Sequence, residues 1–194
     1  MPAYTTFSDP IPLCLLPCPD LCAAATLTSR ALEQAGPGHM CSLRGAKVLV
    51  KPNLLTATPL ACTSPEVTAA VCSWLLDQGA HVTVLDSPGF GRAESVARAI
   101  GLADLLRPLG LAVTGPGNAV SLKLDNGSRF GVSRQALECD LILSVPRVKA
   151  HSQMLLTLAV KNLFGLVVGM RKAVIHTREG QSPEGFADAL AAFW

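Results

Sequence analysis

The sequence predicts an α/β fold, a mostly parallel sheet with flanking helices. Short apolar runs alternate with segments of helical period, the pattern of a layered α/β domain. Three of those runs end in polar punctuation: Lys51-Pro52-Asn53, Asp86-Ser87-Pro88-Gly89, and Pro146-Arg147-Val148-Lys149-Ala150-His151. The chain of 194 residues is 49% apolar and 15% charged, enough to bury one sizeable core and too short for two ordinary domains.

Taken in order, Ile11 to Leu16 reads as a short buried strand and Ala23 to Ala35 as a helix stopped by Gly36-Pro37-Gly38. Lys47 to Val50 reads as a strand ended by Pro52, which cannot donate to a central ladder. Ser64-Pro65-Glu66 opens a helix: Ser64 suits the cap, Pro65 the first turn, and Glu66 the positive end. Val67, Ala70, Val71, Trp74 and Leu75 recur at helical spacing, and Gly79 ends the run. His81 to Leu85 is the next strand. Helical segments follow at Glu94 to Ile100 and Ala103 to Leu109, then a strand at Leu111 to Thr114. Val120 to Leu124 and Arg129 to Val132 flank Asp125-Asn126-Gly127-Ser128, a hairpin signal that places one β-hairpin near residues 120–132. A short helix at Arg134 to Cys139 leads to the strand Leu141 to Val145, and the segment after Pro183 reads as a helix. The expected organisation is a single α/β domain over residues 1–194, cut short in its last helix at Phe193-Trp194.

Composition excludes several classes of function. A net charge of +2 is too small for a nucleic-acid-binding face. No apolar run reaches the roughly 18 residues of a spanning helix; the richest, Leu155 to Met170, is broken by Lys161 and Asn162. The N-terminus lacks the basic start of a signal peptide. The expectation is a cytoplasmic protein without membrane or nucleic-acid partners. Its 7 cysteines include no C-x-x-C pair and read as small buried hydrophobes. Cys14, Cys18 and Cys22 stand at even spacing. Three thiolates could hold part of a cluster, with Cys41 as a fourth ligand, but core packing is the simpler reading.

In open parallel sheets, ligands bind beyond the carboxyl ends of the strands. If the three strands are neighbours, one crevice collects Lys51, Asn53, Asp86, Ser87, Lys149 and His151. The alternative is that each is an ordinary solvated loop residue. Lys161 and Asn162 interrupt an apolar stretch, where an unpaired charge is expensive. They therefore reach the surface or face a site. Lys149, His151, Lys161 and His176, four cationic or potentially cationic groups, with the Asn162 amide suit an oxyanion such as a carboxylate or phosphate. His151 and His176 could move protons near neutral pH. Gly89-Phe-Gly91 follows a strand, but Glu94 stands where a third glycine would be needed, which argues against a nicotinamide site.

The runs Val48-Leu49-Val50-Lys51-Pro52-Asn53, Thr63-Ser64-Pro65-Glu66, Gln78 to Gly89, Ser144 to His151, and Leu158 to Gly165 with His176 together resemble the family called domain of unknown function 362. The matches keep the family's order from about Ile11 to His176. The resemblance implies an α/β protein, and implies a 4Fe–4S cofactor in those relatives that carry ferredoxin-type segments. This chain has no ferredoxin cysteine run, stops before the usual family end, and carries Lys149-Ala150-His151 where the family typically has Lys-Thr-His.

Three functional readings follow. The first is a redox-linked enzyme acting on a small anionic substrate, with His151 or His176 as acid or base; Lys51, Lys149 and Lys161 would hold the anion while Asn53, Asp86 and Asn162 orient it, with Ser87 among the substrate-binding residues. The second is a non-catalytic module that binds an anion or a redox partner protein with the same residues. The third is an iron–sulfur electron-transfer protein ligated through Cys14, Cys18 and Cys22.

Overall fold

The computed structural model describes residues 12–39, 41–124, 127, 129–151, 155–168 and 183–193. Helix α1 (Ala24–Ala35) precedes strand β1 (Lys47–Pro52), helix α2 (Pro65–Asp77), strand β2 (His81–Leu85), helices α3 (Ala93–Ala99) and α4 (Leu102–Leu106), and strand β3 (Val113–Thr114). The hairpin β4 (Ala119–Lys123) and β5 (Arg129–Ser133) follows, then α5 (Arg134–Glu138) and β6 (Leu141–Val145). A second hairpin, β7 (Lys149–His151) and β8 (Leu155–Thr157), leads to α6 (Ala159–Leu163), a 3₁₀ turn at Phe164–Leu166, and α7 (Pro183–Phe193).

The main sheet has the order β3-β2-β1-β6 and is parallel throughout. The α/β expectation therefore holds, and the strands that end in polar punctuation are adjacent. From β1 the chain steps outward through α2 to β2 and through α3 and α4 to β3, then returns to lay β6 on the other side of β1. The boundary between β1 and β6 is thus a topological switch point, where strand ends diverge and leave a crevice.

Strand alternation divides the core. Val48, Val50, Val84 and Val145 face the layer that includes α2, α3 and α4, with Trp74, Leu75, Val96, Leu102 and Leu106. Leu49 and Leu85 face the other layer, built from the first hairpin, α5, the 3₁₀ turn and α7, with Phe130, Val132, Phe164 and Phe186. Lys51, two residues beyond Leu49, emerges on this second face. Its register neighbour on β6 is Ser144, as Ile142 is of Leu49.

Several sequence expectations change. Residues 12–16 form no strand: Leu13 is 81% and Leu15 83% exposed, since an apolar run becomes a strand only where a free sheet edge receives it, and Pro12 and Pro17 flank this one. Residue 11 lies outside the described residues. Pro52 does not end β1 early. Pairing to β2 stops at Val50, whereas pairing to β6 runs on to Pro52 opposite Val145. Proline at the strand's last position is tolerated. Ser64 precedes α2 without capping its backbone; its hydroxyl donates to the Glu66 carboxylate instead. Gly79 ends the turn after α2 at φ 79°, a left-handed conformation that glycine adopts without strain. Only Val113–Thr114 of the third strand pairs, and the β7–β8 hairpin carries no turn signature that its sequence shows.

The cysteines also divide. Cys62 and Cys72 are buried, but Cys18, Cys22 and Cys41 are exposed and Cys14 is half-buried, so core packing is not the role of the N-terminal set. Burial pushes the Cys72 thiol up to about 12, from an ordinary 9.0. Between those values the folded chain keeps a proton that the unfolded chain has lost. Stability should therefore fall as pH rises above about 9, by up to about 1.4 kcal/mol per pH unit from this thiol alone. Urea midpoints at pH 8 and pH 10.5 should diverge less in Cys72→Ala than in the parent.

Candidate functional site

Lys51 is the best-buried large side chain at the carboxyl edge of the sheet, 0% exposed. Its ammonium lies 2.5 Å from Asp86 Oδ1, and also donates to Pro52 O at 2.6 Å and to Asn162 Oδ1 at 3.2 Å. Three N–H groups thus meet three acceptors. Asp86, 3% exposed, accepts from Leu54 N through Oδ2 at 2.6 Å and from Ser87 N through Oδ1 at 2.8 Å. A buried ion pair is tolerable only when its remaining hydrogen-bonding capacity is met in this way. Burial pushes the Lys51 pKa below its ordinary value, and the Asp86 carboxylate opposes that shift.

Asn162 joins the pair to the strands. From α6 its Nδ2 donates to Lys51 O at 2.9 Å and to Ser144 Oγ at 3.0 Å, so one amide bridges β1 and β6. Its Oδ1 also accepts from Asn53 Nδ2 at 3.3 Å. Gly165, in the 3₁₀ turn, packs directly on the ion pair: a Cβ there would overlap Asp86 Oδ1 and the end of Lys51. No other side chain lets the turn approach so closely.

Lys149 closes the other side. It donates to Asn53 Oδ1 at 2.7 Å and to Ala61 O at 2.6 Å, pinning β7 to the loop after β1. Thr63 braces that loop, accepting from Asn53 N at 2.8 Å and donating to Val145 O at 2.6 Å. Lys161, one residue before Asn162, holds its ammonium 5.9 Å from the centre of the Phe186 ring, a cation–π contact. Desolvation lowers the pKa of both lysines; at Lys161 the nearby charge of Lys149 adds to it. Among the described residues neither ammonium has a carboxylate within ion-pair distance.

The structure therefore brings Lys51, Asn53, Asp86, Lys149 and Asn162 into one network, with the Ser87 N–H on the Asp86 carboxylate; Lys161 stands outside its hydrogen bonds, within reach of the Lys149 charge. His151 belongs to β7, two residues after Lys149, but its side chain lies outside the described residues, as does all of His176. Thr63, Ser144 and Gly165 are additional members with no role assigned from sequence. Gly165 was visible only as the last residue of Lys161-Asn162-Leu163-Phe164-Gly165. The thiols of Cys14, Cys18 and Cys22 do not meet: Cys14 donates to Gln34 Oε1, and Cys18 to Asp20 O. Among the described residues no three His, Cys, Asp or Glu side chains converge as metal ligands, so this donor set does not fit a 4Fe–4S cluster. Nor is any helix among them long and apolar enough to cross a membrane.

A family described as "Domain of unknown function (DUF362)" matches residues 48–194. The match begins at β1, later than the resemblance from Ile11 suggests, and continues past His176. The chain is 35% identical over 150 residues to a thylakoid-associated protein of Synechocystis sp., covering 75% of this chain and 47% of that one. It thus spans about half the length of that relative. No solved structure matches it. With β1 from Val48 onward, β2, β6, α6 and every member of the polar network inside the matched residues, the chain belongs to the family of domain of unknown function 362.

Proposed function

We propose that this chain binds a small anion, a carboxylate or a phosphate, in the crevice beyond the carboxyl ends of β1 and β6. One observation supports this most: Lys149, with N–H groups on Asn53 Oδ1 and Ala61 O, and Lys161 are both desolvated, and among the described residues neither has a carboxylate within ion-pair distance, the Asp86 charge reaching Lys149 only from farther off. An anion between them would relieve both the repulsion and the desolvation. Asn53 and Ser87 border the crevice and orient the ligand. Lys51 has all three of its N–H groups on protein acceptors, so it acts with Asp86 and Asn162 as the buried support that positions the loops.

Titration calorimetry with inorganic phosphate and with acetate tests the reading. Lys149→Gln should weaken binding of the preferred anion about tenfold or more, the value of one charge-assisted hydrogen bond. Because both lysine pKa values are lowered, affinity should fall as pH rises and should do so below the ordinary lysine value of 10.5. Absence of binding by either anion at millimolar concentration at pH 7 would refute the proposal.

A redox-linked reaction on the bound anion is a second reading, favoured by the placement of His151 in the same short strand as Lys149. His151 or His176 would then exchange the proton, and a redox partner protein would supply or accept electrons. A cytoplasmic location belongs to this proposal; thylakoid association is a property of the relative.

A further inference from the structure

Beside Lys161 the surface opens into a cleft of roughly 280 Å³ between α6 and α7, lined by Leu156, Leu158, Val160, Ala187, Leu190 and Lys161. Among the described lining residues Lys161 is the one that carries charge. Leu156, Leu158 and Val160 are 49%, 46% and 39% exposed, an apolar group left open to solvent. Thr157, between the two leucines, pairs with Lys149 across the β7–β8 hairpin. Strand alternation sets Lys149 and Thr157 on the face opposite Leu156, so the cleft meets the anion site at Lys161, the residue they share.

We propose that the anion is amphipathic: its charged head lies on Lys161, and its apolar tail lies in the cleft along Leu158, Val160 and Leu190. This rests on the anion-binding reading and narrows the ligand to an acyl or aryl carboxylate. The size agrees. An apolar cavity of about 150 Å³ accepts benzene, so this cleft takes a ring or a medium acyl chain and no large cofactor. The chemistry agrees as well, since a mostly apolar wall with one convergent charge selects a ligand with one polar end.

The experiment is calorimetric titration of the full chain with acetate, butyrate, hexanoate and octanoate below its micellar concentration, with 1-octanol as the uncharged control. Affinity should rise by about fourfold per methylene, as for apolar burial. Lys161→Gln should weaken octanoate binding at least tenfold. Val160→Ser, at a half-exposed position, should remove the chain-length gain, read as the ratio of octanoate to acetate affinity within the variant; Leu158→Ser serves the same purpose should Val160→Ser fail to fold. Equal affinity for acetate and octanoate would overturn the amphipathic ligand while leaving the anion site standing. Failure of every carboxylate and of phosphate would remove both. Octanol binding as tightly as octanoate, unaffected by Lys161→Gln, would make the cleft a plain apolar surface and refute the proposal.

Discussion

Asp86→Asn should destabilise the protein by about 3–5 kcal/mol, the usual cost of removing one partner from a buried ion pair. The carboxylate receives the Lys51 ammonium and two backbone N–H groups, from Leu54 and Ser87. An amide of the same shape offers one acceptor oxygen and must turn its NH₂ toward one of these donors. The Lys51 ammonium would then stay buried without a counter-charge, or release its proton. The expected signature is a lower urea midpoint, a fall in Tm of roughly 10 °C for a chain of this size, and a new pH dependence. In the variant the folded Lys51 pKa drops further below its unfolded value. The unfolded chain then binds the extra proton, so stability should recover as pH rises from the lowered pKa toward 10.5. The double change Lys51→Met with Asp86→Leu should cost less than Asp86→Asn alone, since it removes both charges together. Equal midpoints for Asp86→Asn and the parent would mean that the pair carries no stability.

That pair also marks where sequence reasoning reaches and where it stops. Leu141–Val145 and His81–Leu85 are legible because each is a short apolar run bounded by turn residues, and both strands pair over their whole length with neighbours of the same kind. The convergence of Lys51, Asp86 and Lys149 is legible once the strands are taken as parallel neighbours, since parallel strands bring their carboxyl ends to one edge. What stays hidden is contact between distant segments. Lys51 and Asn162 are 111 residues apart, and nothing local says that the amide of one meets both the backbone and the ammonium of the other. For the same reason Ile11 to Leu16 looks like a strand: its composition fits a sheet, but residues 12–16 pair with no strand. The exposure of Cys18 and Cys22 likewise depends on where residues 12–22 run, and thiol chemistry alone does not fix that path.

Gly165→Ala should destabilise the fold by about 1–3 kcal/mol, although glycine-to-alanine changes in permissive sites stabilise by about 0.4–1 kcal/mol through the unfolded chain. The larger effect wins because the new methyl has no room. It would meet Asp86 Oδ1 and the Cε and Nζ atoms of Lys51. These are not loose ends that can swing aside: the ammonium is held by three acceptors and the carboxylate by two backbone N–H groups. The turn must therefore lift off the sheet, yet Phe164 and Leu166 on either side are only 5% and 3% exposed and anchor the second core layer. Lifting it would draw Asn162 away from Lys51 and Ser144 and shift Lys161, so stability and anion affinity should fall together in this variant. Chemical denaturation and calorimetry on the same preparation read both. A loss of stability with unchanged anion affinity would separate the ion pair from the crevice, and would confine Gly165 to packing. Unchanged stability would mean that the turn does not rest on the pair at all. The most informative partner is Asp86→Ala, which removes one of the two side chains the methyl meets and frees the end of Lys51 from its ion pair. Adding Gly165→Ala to that background should cost less than adding it to the parent, as expected of two changes that act on one contact.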